Sequence, residues 1–112
     1  MEPTKIFKDT YNFYAHLYQD LGKIPKRERF TWGQRCETIA LEALAISAKA
    51  DYLARNEKRI AVRALSFQID LLQIFLRLGS DLKILDYKKY LARSAELISI
   101  GKMIGGWIKT LP

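Results

Sequence analysis

The sequence predicts an all-α chain folded as an up-down-up-down four-helix bundle. Three observations lead there. The chain has 112 residues, the length of one domain over residues 1–112, with room for one core but not for two lobes around a cleft. Its prolines are Pro3, Pro25 and Pro112, so the stretch from Lys26 to Leu111 is free of the residue that breaks helices. Apolar residues recur at spacings of three and four, with no Asn-Gly or Asp-Gly turn and no sustained alternation of the kind a strand needs.

The first helix is expected from about Lys5 to Leu21. Phe7, Tyr11, Tyr14, Leu17, Tyr18 and Leu21 share one face, read as core or interface packing, and Gly22 is placed to end the helix in a left-handed conformation. A basic linker, Lys23 to Arg29, follows, with Pro25 disfavouring helix at Ile24. The second helix begins near Thr31, where Thr31 and Gln34 have capping-box spacing. Trp32, Cys36, Ile39, Ala43, Ile46, Ala50 and Leu53 then form a heptad seam, the mark of a helix packed nearly parallel or antiparallel to its neighbours. Arg55 to Lys58 reads as a short turn.

The third helix runs from about Arg59 to Asp81. Its polar residues, Arg59, Arg63, Ser66, Asp70, Gln73, Arg77 and Ser80, make one narrow stripe, and most of the remaining circumference is apolar. A bundle helix needs an apolar stripe little wider than about 100°. The surplus predicts a second covered surface, most simply another copy of the chain. Leu82 to Leu85 connects to the fourth helix, about Tyr87 to Thr110, with Asp86 as N-cap. Tyr90, Leu91, Leu97, Ile98, Ile104, Trp107 and Ile108 are its expected core. Gly101, Gly105 and Gly106 cost helix stability, and offer in return a flat strip for a neighbouring helix.

Nineteen Lys and Arg against twelve Asp and Glu give a net charge of +7, which favours polyanions or an acidic protein face as partners. The alternating topology brings Lys23, Lys26, Arg27 and Arg29 beside Lys83, Lys88, Lys89 and Arg93 at one end. Arg55, Lys58, Arg59 and Arg63 lie at the other. Little else carries chemistry. One cysteine, Cys36, and one histidine, His16, exclude an internal disulfide and Cys- or His-based metal sites. Cys36 falls on the core seam, which makes it an inert thiol rather than a nucleophile paired with His16. Glu37 and Glu42 are five apart and share no face well. The Gly101–Gly106 run lies within a helix rather than after a strand, so it is no phosphate loop. No catalytic residue and no cofactor is expected. No apolar run reaches the roughly 20 residues of a membrane span, and the start lacks the apolar stretch of a signal peptide, so a cytoplasmic protein is expected.

Ile24-Pro25-Lys26-Arg27-Glu28-Arg29-Phe30, Gly33-Gln34-Arg35, Ile74-Phe75-Leu76-Arg77-Leu78 and Ile100-Gly101-Lys102-Met103-Ile104-Gly105-Gly106-Trp107-Ile108 resemble the Avd-like family. These are the accessory variability determinants of diversity-generating retroelements, related to four-helix proteins of ribosomal RNA intervening sequences. The likeness extends from about Leu21 to Leu111, and the closing glycine-rich run is its most specific part. It implies a homopentameric, barrel-like ring without catalysis. The ring's basic surface would bind RNA or DNA and the reverse transcriptase, supporting mutagenic cDNA synthesis. Arg77 matches a family arginine, whereas the position one turn earlier, sometimes basic in the family, is Gln73. The alternative is a scaffold whose basic surface meets an acidic protein, with no direct nucleic-acid role. On the first reading Lys26, Arg27, Arg29, Lys88, Lys89 and Arg93 hold phosphates at one end, and Arg59, Arg63 and Arg77 along the third helix.

Overall fold

The computed structural model describes residues 4–111. Four long helices follow one another: α1 (Lys5–Leu21), α2 (Gln34–Ala50), α3 (Arg55–Asp81) and α4 (Tyr87–Lys109). Each packs on the next and α4 closes on α1, which is the up-down-up-down arrangement. No strand occurs among the described residues. The molecule measures 43 × 21 × 19 Å. A helix as long as α3 rises about 40 Å at 1.5 Å per residue, so α3 alone spans the rod.

The helix ends depart from the sequence reading in several places. Thr4 caps α1, its Oγ1 accepting from the Phe7 amide at 3.2 Å. Gly22 closes α1 without a left-handed turn, at φ −67°. Helix resumes immediately after Pro25, so most of the expected basic linker is helical: one α-turn, Lys26–Glu28, then a π-helical turn, Arg29–Gly33, leading into α2. Thr31 therefore caps nothing; its hydroxyl lies 3.5 Å from the Glu28 carbonyl. The turn between α2 and α3 falls at residues 51–54 rather than 55–58, and Glu57 sits in the first turn of α3, where a carboxylate suits the helix dipole. The left-handed position comes where the sequence does not announce it, at Lys83 (φ 60°) after α3. There the Lys83 amide donates to Ser80 O and the Ile84 amide to Gly79 O, which together make a Schellman motif.

The core is built by Phe13, Leu17, Cys36, Ala43, Val62, Leu65, Leu72, Leu76, Leu97, Ile100 and Ile104, all essentially inaccessible. The α2 seam is as the heptad pattern predicts, with Ile46 and Leu53 half-buried at its edge. In α1 the core face is Ile6, Thr10, Phe13, Leu17, Asp20 and Leu21, rotated from the expected aromatic face; Tyr11 and Tyr18 are exposed. In α4, Ile100 joins Leu97 and Ile104 inside, whereas Leu91 and Ile98 face outward. Exposure of Tyr11 and Tyr18 removes the core alternative and leaves interface packing, while Leu91 and Ile98 depart from the expected core of α4; apolar residues occupy two sides of both helices, and spacing alone does not say which side meets the bundle.

Trp32 ties the entry of α2 to α3. Its indole N–H donates to the Phe75 carbonyl at 2.8 Å, and its ring lies flat over Gly79, where any Cβ would run into the indole. Polar ties link the other helix pairs: Tyr14 to Glu37 at 3.1 Å between α1 and α2, and Gln73 with Ser94 between α3 and α4. Among the described residues no buried side-chain nitrogen or oxygen lacks a partner.

Candidate nucleic-acid interface

The end of α1, the entry of α2, the end of α3 and the start of α4 share one end of the rod. An ionic cluster built around the buried Asp20 holds it together. Asp20, only 4% exposed, accepts from Arg93 Nε at 2.8 Å and lies 3.6 Å from Lys89 Nζ. Arg93 also reaches Glu96 at 2.5 Å, and Glu96 in turn meets His16 Nδ1 at 2.5 Å. The network clamps α1 to α4. Arg93 is thereby committed to two carboxylates, and Lys89 is partly so, which leaves these two of the expected phosphate contacts least able to reach an outside anion.

The remaining cations of this end point outward. Lys23, Lys26, Lys83 and Lys88 are exposed and form no ion pair among the described residues. Arg27 pairs with its neighbour Glu28 at 3.0 Å, and Arg29 donates to the Gly22 carbonyl at 2.7 Å while remaining exposed. Three aromatic side chains stand among them: Tyr18 (62% exposed), Phe30 (73%) and Tyr87 (62%). Two shallow concavities each bring one tyrosine to one cation. Tyr18 and Arg29 line the first, with Gly22, Gln34 and Glu37, and Lys83 and Tyr87 line the second, with Ser80 and Asp86.

Arg59 and Arg63 are exposed near the opposite end of the rod, so they do not join this cluster. Arg77 is exposed one turn before the end of α3, toward the basic end, 3.9 Å from Asp81. Gln73 is turned toward α4 by its bonds to Ser94. Beside this polar stripe run the surplus apolar residues of α3: Ile60, Phe67, Ile74 and Leu78 are all exposed. Leu91 and Ile98 lie exposed on α4, on the same side as Gly101 and Gly105. A Cβ on Gly101, Gly105 or Gly106 would meet nothing within 4 Å, so the strip approaches no helix of its own subunit.

The candidate catalytic groups are kept apart. Cys36 is buried in α2 and burial pushes its thiol up to about 12, while His16 faces Glu96 on α4. Burial, and then Glu37, raise the Tyr14 hydroxyl above its ordinary range, and Glu37 serves as its acceptor. Among the described residues no three His, Cys, Asp or Glu side chains gather as a metal would require, and no helix is long and apolar enough to cross a membrane. The sequence reading missed Asp20 and Gly79. A lone glycine inside a helical pattern is a recognised signal of close packing, which could have marked Gly79. Nothing local distinguishes Asp20 from a surface carboxylate.

No curated protein matches the chain. The model of the bAvd-like family matches residues 5–111, nearly the whole bundle, and with it the glycine run of α4, the Arg77 segment and the basic entry to α2. The chain belongs to the bAvd-like family.

Proposed function

We propose that the chain is a non-enzymatic accessory protein of a diversity-generating retroelement. It assembles as a homo-oligomeric, pentameric ring that binds nucleic acid and the reverse transcriptase and supports mutagenic cDNA synthesis. The observation that carries this reading is the family match over residues 5–111. The surface agrees with it. The exposed apolar residues of α3 and α4, with the bare glycine strip, suit burial against further copies. The unpaired Lys23, Lys26, Lys83 and Lys88 suit phosphate, and repetition around a ring would make weak contacts act together.

The test is RNA binding by the purified chain at low and moderate salt, beside a variant carrying Lys26→Glu, Arg27→Glu and Lys88→Glu. The native chain should bind without strong sequence preference, with affinity falling steeply as salt rises. The variant should keep its oligomeric mass and lose most of its affinity. Binding unchanged by the triple reversal would remove this end as the nucleic-acid surface. No binding by the native chain at low salt would leave an acidic protein as the better partner.

A further inference from the structure

The cations and aromatic side chains of one end are arranged for a narrower ligand than nucleic acid in general. From that arrangement we infer that the end formed by the α2 entry and the α3–α4 connection binds single-stranded nucleic acid, stacking unpaired bases on Phe30 and Tyr87. The inference rests on the proposed nucleic-acid role and deepens it.

Phe30 is the most exposed large hydrophobic residue among those described, at 73%. It follows Arg29 in the π-helical turn, in a segment whose other charges are Lys26, Arg27 and Glu28. Arg29 is pinned to the Gly22 carbonyl and Trp32 to Phe75 and Gly79, so the turn that presents Phe30 is fixed on both sides. Tyr87 starts α4 at 62% exposure, its ring 6.0 Å from Tyr90, in a concavity shared with Lys83 and Asp86. An exposed aromatic face with a cation in the same concavity, as at Tyr87 and Lys83, matches the two parts of an unpaired nucleotide, its base and its phosphate, and Phe30 adds a second exposed face in the basic entry of α2. A duplex hides its base faces and would use the cations alone. The opposite end is also basic, but its exposed aromatic is Tyr52, and the groove there contains Glu42 and Glu57 as well as Lys49. No aromatic side chain lines that groove, whereas Tyr87 lines its concavity together with Lys83 and Asp86.

Stacking contributes about 1–3 kcal/mol per base, or roughly five- to hundredfold in affinity. The experiment compares fluorescence anisotropy of a labelled single-stranded RNA oligomer and a duplex with the same number of phosphates. It uses the native chain, the Phe30→Ala/Tyr87→Ala double variant, and Phe30→Trp. Both positions are exposed, and circular dichroism and oligomeric mass check that each variant folds and assembles. The native chain should bind the single strand about tenfold or more tightly than the duplex. The double variant should lose that preference while its duplex affinity stays within about twofold. In Phe30→Trp the added emission should be quenched by the single strand and not by inorganic polyphosphate. Equal native affinity for the two oligomers, or equal losses for both in the double variant, would overturn the stacking assignment and leave nucleic-acid binding intact. Failure of the native chain to bind either oligomer at low salt would overturn this inference together with the function it rests on.

Discussion

Gly79 and the glycines of α4 lie inside two neighbouring helices, and their surroundings are opposite. Gly79 is buried beneath Trp32, where even one added carbon collides with the indole. Gly101, Gly105 and Gly106 have open space above them. A glycine within a helix costs about 1 kcal/mol relative to alanine. At Gly79 the subunit itself supplies the compensation, since the indole packs on the bare backbone and hydrogen-bonds to Phe75. At the α4 glycines no packing within the subunit does so. In the proposed ring, the compensation comes from a neighbouring copy lying against the strip.

Gly79→Ala should have the largest effect on stability. The methyl group must displace Trp32, and overpacking of this kind costs roughly 3 kcal/mol. Urea denaturation should register that loss, together with exposure of Trp32 fluorescence. A stability equal to the native chain's would mean that Trp32 is free to move aside. Arg93→Ala comes next. It leaves the buried Asp20 carboxylate with Lys89 alone; a buried pair broken outright costs about 3–5 kcal/mol, and Lys89 at 3.6 Å lowers the loss to about 2 kcal/mol. Denaturation measures this too, and a neutral result would show that Lys89 or water replaces the guanidinium fully.

Much of the fold was legible before any coordinates. The proline-free stretch and the three-four spacing give four helices and their order, and the α2 seam is correct nearly residue by residue. The surplus apolar face of α3 is legible too, because it is a property of a single helix. Whatever depends on a neighbour was not. The spacing puts Tyr11 and Tyr18 on a core or interface face and does not separate the two, and nothing local marks Asp20 as the buried end of the clamp to α4. Arg93 has the same formula as Arg59, yet one is enclosed by carboxylates and the other is free at the surface. Charge counts place cations at an end of the bundle; they do not show which of them another helix has already taken.

Two smaller changes sharpen the contrast. Gly101→Ala with Gly105→Ala should stabilise the isolated chain by about 1 kcal/mol at each position, since the methyl groups meet nothing and alanine is the better helix former. The same pair should weaken self-association, read from the concentration dependence of mass. Association as tight as the native chain's would remove the strip from the interface. Lys83→Gly should add about 0.5–1 kcal/mol, because a lysine held at φ 60° carries the left-handed penalty that glycine avoids. Thermal denaturation reads this, and no gain would mean that the lysine stem offsets the strain by packing.

In the proposed assembly the bundle associates through its exposed apolar surface and presents the basic end at the α2 entry to nucleic acid. Light scattering after size exclusion, with and without single-stranded RNA at two salt concentrations, tests it most directly. The expected result is a mass near five times 13.0 kDa that rises with RNA at low salt and not at high salt. A 13.0 kDa monomer at every concentration, indifferent to RNA, would contradict it.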